Sequence, residues 1–468
     1  MVCYTIMIVE VDKHCILSEF LLRSGQGGIP VCSLRKGCGK CYVKLLSGLW
    51  ECNGKILAAP ATVMPCCTRL RSCIGSIELP ESSPRSPQIA VAWEGALPLP
   101  VQKDPVIAVD MGSTTIAGVR IEEGLCVKKA GILNRQCRFG EDIISRIEKS
   151  EKDFTALRNA LLDSIEELLI TLKCEDVKVI GVAGNTVMNC FLHGVTPVSI
   201  GVFPFRAPQL VFPERSDLFG GRRVVTVPSI TGLLGGDIAG GIFMSELEDG
   251  ELFLDLGTNC EMIFKTPGGL WGTSAAAGPA FEGSGITSGS RAATGAVDRY
   301  RGRGDFSVIG GGEAVSVCGS GLVDFLAAER KKGTLNAFGR FVSGASSFEI
   351  APGVFVSESD IAELLKAKAA VGSAVQALEK YCSVPVKKLK LAGGFSRFLD
   401  LDSARRIGLL PAVETKVCGN LSLAGAAYAA LKPSAVAEMA KNAEKIREIH
   451  LNDIPGFTEM FTKNLLLP

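Results

Sequence analysis

Residues 106–121 read "VIAVDMGSTTIAGVRI": an apolar run, an aspartate, a glycine two residues on, three small hydroxylated residues, and a second apolar run. That pattern predicts a strand, a tight turn and a second strand. It returns at residues 252–264 as "LFLDLGTNCEMIF", 145 residues further along the chain. Asp110, Gly112, Ser113, Thr114 and Thr115 in the first copy correspond to Asp255, Gly257, Thr258 and Asn259 in the second. An internal repeat on this scale predicts two similar subdomains facing each other.

Such a turn has a chemical use. Glycine lets a ligand approach the backbone closely, hydroxyls and amides face phosphate oxygens, and the aspartate can hold Mg²⁺ directly or through water. A single Asp-x-Gly at a strand end is common and says little. Two copies on matching strands are followed here by a third strand ending in a double glycine, "KLKLAGGFSRF", with Gly393 and Gly394 offering a flat surface to a nucleoside. Neither a Walker G-x-x-x-x-G-K-[ST] nor a G-x-G-x-x-G occurs in the chain, which argues against P-loop and Rossmann nucleotide sites.

Composition narrows the classes further. The chain has 468 residues, 47% hydrophobic and 21% charged, enough for a large core and two to four domains. A net charge of +1, with no run of Lys and Arg, lacks the footprint of a nucleic-acid binder. Asp12 and Lys13 interrupt the N-terminal apolar stretch, and no segment offers eighteen uncharged apolar residues, so neither a signal peptide nor a membrane span is expected. The expected location is cytoplasmic.

Nine of the 17 cysteines fall within the first 73 residues. In a reducing compartment that density points to a metal and not to disulfides. Within "VCSLRKGCGKCYVKLLSG" (31–48), Cys32, Cys38 and Cys41 follow C-x5-C-x2-C, one residue longer in its first gap than the plant-type [2Fe–2S] spacing. Gly37 and Gly39 let the backbone wrap so that amides point at the sulfurs. Cys66 is the favoured fourth ligand and its neighbour Cys67 the alternative; structural zinc and inert thiols are the competing readings.

The chain accordingly divides into a cysteine-rich unit (1–80), a proline-rich linker (81–105), a glycine-rich region of two subdomains (106–432) and a helical tail (433–468).

The two Asp-x-Gly turns, Gly393-Gly394 and the late "CGNLSLAGAAYAAL" resemble the phosphate-1, phosphate-2, adenosine and connecting motifs of the ASKHA superfamily, which includes acetate and sugar kinases and actin. "NRQCRFGEDIISRI", "GNTVMNCFLHG", "SAAAGPAFEGSGI", "VCGSGLVDFLAAERKKG" and "LAGGFSRFLDLDSARRIGLLP" narrow the resemblance to the reductive activators of corrinoid enzymes. That resemblance implies an α/β fold of ASKHA type with ribonuclease H-like duplicated subdomains, behind an N-terminal β-grasp ferredoxin-like α+β domain. It implies ATP, Mg²⁺ and a [2Fe–2S] cluster as cofactors. The implied activity is ATP-dependent reduction of cob(II)alamin to cob(I)alamin in a corrinoid protein of a methyltransferase system, with electrons from a low-potential donor. Asp110 and Asp255 take the catalytic roles in this reading. Three departures stand out: "CSLRKGC" lacks the paired glycines usual after the first cysteine, Ser113 replaces the usual Thr, and the linker leaves no room for an extra middle domain.

Plant-type clusters sit near about −400 mV, and an uphill gap of roughly 100 mV costs about 2.3 kcal/mol per electron. Closure of an ATP-loaded cleft can offset that cost. The loop "TSAAAGPAFEGSGI" (273–286) is either a tight structural loop or a partner-facing one, with Ser274 and Glu282 near the cobalt. Two other classes fit parts of the pattern: an ATP-driven activator of a dehydratase or radical enzyme, and a small-molecule kinase with a regulatory cluster.

Overall fold

The computed structural model describes residues 7–12, 16, 17, 20, 21, 43–79, 91, 93, 99–140 and 142–468. Cys32, Cys38 and Cys41, the first three expected cluster ligands, lie outside the described residues. The chain forms two compact units, one from residues 1–88 with 137–141 and one from 89–136 with 142–468.

In the first unit, β1 (Met7–Val11), β2 (Val43–Ser47), β5 (Ala61–Val63) and β7 (Gly75–Leu79) form a sheet in the order β1-β7-β2-β5, with every neighbouring pair antiparallel. A second sheet, β4-β3-β6, joins β3 (Leu49–Cys52), β4 (Lys55–Ala58) and β6 (Thr68–Leu70). Val9, Val11, Val43, Leu45 and Ile77 alternate inward and pack with Leu17, Leu21 and Leu70 around the fully buried Trp50. Gly75 is obligatory there: a Cβ would stand 2.6 Å from both Trp50 and Leu70 side chains.

In the second unit, each Asp-x-Gly copy starts a sheet, and the two sheets share one topology. The first holds β8 (Val106–Met111), β9 (Thr115–Glu122), β10 (Leu125–Leu133), β11 (Val179–Gly184) and β12 (Arg223–Thr226), in the order β10-β9-β8-β11-β12. Strands β8 to β10 meander antiparallel, and β11 and β12 follow parallel to β8. Between these strands run α1 (Ile143–Thr171), capped by the Asp142 carboxylate on the Ser145 N–H at 2.7 Å, and α2 (Thr186–His193), capped by Asn185. Helix α3 (Gly236–Ser245) leads to the second sheet.

That sheet begins with the meander β13 (Glu251–Leu256), β14 (Cys260–Thr266) and β15 (Gly269–Ala275). An insertion follows, comprising β16 (Ala296–Gly302), β17 (Asp305–Val308), β18 (Ser316–Val317), α4 (Gly319–Lys331), β19 (Ser347–Ala351), β20 (Val354–Ser357) and α5 (Glu358–Cys382). Then β21 (Lys388–Ala392), α6 (Leu401–Arg406) and β22 (Glu414–Gly419) complete the order β15-β14-β13-β21-β22, the topology of the first sheet again. The central strands are apolar on both faces because both are covered: Ile107, Ala108 and Val109 in β8 and Leu252, Phe253 and Leu254 in β13 are fully buried.

Helix α7 (Leu421–Leu431) returns to the first sheet. A Cβ on Gly181 of β11 would stand 2.0 Å from the Ala426 carbonyl, and one on Gly425 would stand 2.5 Å from Gly240 Cα in α3. Glycine at these points lets α3, α7 and β11 touch backbone to backbone. Helix α3 in turn meets the second sheet, since a Cβ on Gly241 would lie 2.8 Å from the Phe253 ring. Beyond Pro433, where the sequence predicts a helical tail, α8 (Ala435–Ala443) and α9 (Phe457–Asn464) flank a strand, β23 (Ile446–Glu448), that pairs parallel with β15 and extends the second sheet. No helix among the described residues is long and apolar enough to cross a membrane.

Candidate functional site

Asp110 and Asp255 end the apolar parts of β8 and β13 at matching places in the two sheets. Asp110 is held from a distant part of the chain: Asn420 Nδ2 donates to one carboxylate oxygen at 2.7 Å and Ser422 Oγ to the other at 2.8 Å. Asn420 is also the N-cap of α7, its own oxygen accepting the Leu423 N–H at 2.8 Å, so its amide has one orientation and its nitrogen must face Asp110.

The double glycine meets the second aspartate. Asp255 pairs with Ala392 across β13 and β21, so Gly393 follows at once. A Cβ on Gly393 would stand 2.6 Å from the Leu256 carbonyl and 2.8 Å from Asp255 Oδ1, and its φ of +96° is in the left-handed region. Only glycine fits. Gly394, by contrast, has nothing within 4 Å of where a Cβ would be, leaving the open surface that a nucleoside face requires.

Two carboxylates not singled out in the sequence join this floor. Asp237 stands in the first turn of α3, and Glu261 sits directly opposite Asp255 in the β13–β14 register. All four are half-buried by surface, reachable by solvent yet ringed by protein. Burial raises the pKa of Asp110. Burial first, then the Asp110 charge, pushes Asp237 up to about 7. Burial, then Asp237 and Asp110, pushes Asp255 up to about 8. Glu261 is raised well above the carboxylate range by burial and by Asp237 and Asp255, against a hydrogen bond from Ser274. Carboxylates disfavoured in their ionised form first by burial and then by neighbouring negative charge form a candidate site for a cation. Among the described residues no group of three His, Cys, Asp or Glu forms a metal cage by itself, so a cation here would need phosphate oxygens and water to complete its shell.

The two Asp-x-Gly turns are tightly constrained. A Cβ on Gly112 would lie 2.3 Å from the Thr115 carbonyl, and the Gly257 N–H donates to the Asn259 carbonyl at 3.1 Å. Thr258 Oγ1 donates to the Glu282 carboxylate. Ser274 and Glu282, on the loop read from the sequence as either structural or partner-facing, bond to Glu261 and to Thr258 of the second Asp-x-Gly turn respectively. A β-pairing argument could have found Glu261 from sequence; Asp237 follows a double glycine that carried no recognised spacing.

In the first unit, Cys66 and Cys67 lie on a short turn, Pro65–Cys67, with Cys66 buried and Cys67 half-buried. Their sulfurs are 3.7 Å apart. Either could serve one thiolate position of a cluster, and the described residues hold no other member of the expected ligand set.

Two family models match consecutive stretches: the RACo middle region over residues 106–250, and the C-terminal domain of RACo, the ASKHA domain, over 249–468. The chain is 25% identical over 365 residues to the corrinoid activation enzyme RamQ of Eubacterium limosum, covering 66% of this chain and 60% of that protein. It is 29% identical over 290 residues to the [Co(II) methylated amine-specific corrinoid protein] reductase of Methanosarcina barkeri, covering 54% and 53%. It thus matches less than two thirds of the length of either relative. A solved structure of a reductive activator for corrinoid, iron–sulfur protein superposes with a TM-score of 0.72 at 25% identity, covering 98% of this chain and 96% of the other. One expectation is corrected by these matches. The sequence left no room for a middle domain after the linker, but residues 106–250 are themselves the middle region, folded as the first of the two matching sheets.

Proposed function

Because the chain belongs to the RACo family, whose models together span residues 106–468, we propose that it is an ATP-dependent reductive activator acting on a corrinoid protein of a methyltransferase system. An ASKHA domain is an ATP-binding fold. The observation that carries the proposal for this chain is the floor where Asp110, Asp237 and Asp255 gather beside the open face of Gly394, burial raising the pKa of all three and the Asp110 charge adding to the rise of the other two.

The turns at Gly112–Thr115 and Gly257–Asn259 offer amides and hydroxyls to the nucleotide phosphates, and Gly393 and Gly394 receive the nucleoside. Asp110 and Asp255 would hold Mg²⁺, directly or through water, its charge favouring the ionised carboxylates that burial disfavours. Asn420 and Ser422 keep Asp110 aimed at that cation. Nucleotide held between the two turns would draw the two halves together, a domain closure of the kind that can alter docking to a partner.

Cys32, Cys38, Cys41 and Cys66, with Cys67 as the alternative fourth ligand, would hold a [2Fe–2S] cluster, which would supply a low-potential electron when bound. The substrate is Co(II) of the partner's corrinoid, reduced by one electron to Co(I), while ATP and water become ADP and phosphate. A low-potential donor restores the protein for the next turnover.

The test is ATP hydrolysis by Asp110→Ala and Asp255→Ala. Both variants lose it and retain the visible spectrum of the cluster, since the two functions reside in separate units. Wild-type hydrolysis in either variant removes that residue from the nucleotide site.

A further inference from the structure

The segment "NRQCRFGEDIISRI" opens with Asn134, which follows β10 and is fully buried. Its backbone N–H donates to the Thr114 carbonyl at 3.0 Å, and its Nδ2 donates to the Gly112 carbonyl, also at 3.0 Å. Its Oδ1 accepts the Gln136 N–H at 2.9 Å, which fixes the amide's orientation and leaves the nitrogen for Gly112. Gln136, also fully buried, is anchored to α1: its Nε2 donates to the Leu157 carbonyl at 3.0 Å, and its Oε1 accepts from buried Arg146 at 3.4 Å.

A trans peptide carries its N–H opposite its C=O. Drawing the Gly112 and Thr114 carbonyls onto Asn134 therefore turns the N–H groups of Ser113 and Thr115 away from it. We infer that Asn134 is a positioning residue for nucleotide phosphate: it grips the first phosphate turn from behind and sets the direction in which that turn's amides point, without touching the nucleotide. The inference rests on the reading of residues 110–115 as an ATP phosphate site.

Two variants test it. Asn134→Leu keeps the branched shape with greater bulk, is neutral and cannot donate. Asn134→Asp keeps the acceptor for Gln136 but cannot donate to Gly112 when ionised. MgATP affinity, measured by displacement of a fluorescent ATP analogue, should fall by about tenfold or more in both, equivalent to about 1.4 kcal/mol. The inhibition constant of adenosine, which lacks phosphates, should stay within about twofold, and the ligand-free protein should keep its circular dichroism. A protein merely unsettled by the change would lose ATP and adenosine in proportion. MgATP binding by Asn134→Leu within about twofold of wild type, or parallel loss of both ligands, overturns the assignment of Asn134 alone. Failure of the wild-type chain to bind MgATP overturns the nucleotide reading and, with it, this inference.

Discussion

Asn420 and Asp110, 310 residues apart in sequence, are joined by a 2.7 Å hydrogen bond from Nδ2 to Oδ2. The bond ties β8 to the cap of α7, so the geometry of the carboxylate is coupled to the position of that helix. Ser422 adds the second tie at 2.8 Å. Asn420→Ala should lower MgATP affinity and also destabilise the fold by about 1 kcal/mol through the lost cap. Ser422→Ala leaves the cap intact and should lower MgATP affinity with little change in the urea midpoint. Equal loss of stability in both, with unchanged affinity, would assign these contacts to folding only.

Stability without nucleotide should fall as pH rises. Asp237 and Asp255, at about 7 and about 8, hold protons in the folded chain that an unfolded carboxyl has released. Between the ordinary carboxylate range and about pH 8 the folded state therefore binds more protons, and its stability is lost progressively as pH climbs through that window. Urea midpoints at pH 5.5 and pH 8 without Mg²⁺ measure the decline, which Asp237→Asn should reduce. A flat profile in the wild type would contradict the raised pKa values of these carboxyls.

Lys368 on α5 gives the opposite sign. It is buried, its amino group donating to the carbonyls of Asn464 at 2.6 Å and Leu466 at 2.7 Å, and burial lowers its pKa to about 8. Between about pH 8 and the ordinary lysine range the folded chain holds the fewer protons, so stability should rise with pH there relative to Lys368→Met. Identical pH slopes for the two proteins would contradict this.

Much of this was legible in the sequence, for a physical reason. A strand ending in Asp-x-Gly is local information, so both turns and the double glycine could be read residue by residue, and the duplicated sheets follow from their spacing. Asn420 and Ser422 lay inside a quoted motif, but their contact with Asp110 is a tertiary fact. Asp237 was missed because its role depends on α3 beginning beside other carboxylates, and Asn134 because a buried amide leaves no periodic trace. The strand at 446–448 was read as helix because three residues at a sheet edge cannot outweigh the Ala-, Lys- and Glu-rich run before them.

Cys66→Ser should abolish the visible spectrum of the [2Fe–2S] cluster and Cys67→Ser should preserve it, as should be seen in anaerobically reconstituted protein. With the sulfurs only 3.7 Å apart, the reverse pattern would reassign the fourth ligand to Cys67, and retention of the cluster in both variants would exclude the pair.

The most direct measurement follows the cobalt. Reduced protein is mixed anaerobically with a Co(II) corrinoid protein, and the corrinoid absorption is recorded with no nucleotide, with a non-hydrolysable ATP analogue and with MgATP. An activator produces sustained Co(I) only with reductant and MgATP together, and the corrinoid protein accelerates hydrolysis because it favours the closed form. Equal Co(I) formation without nucleotide, or phosphorylation of a metabolite with no corrinoid protein present, would contradict the account.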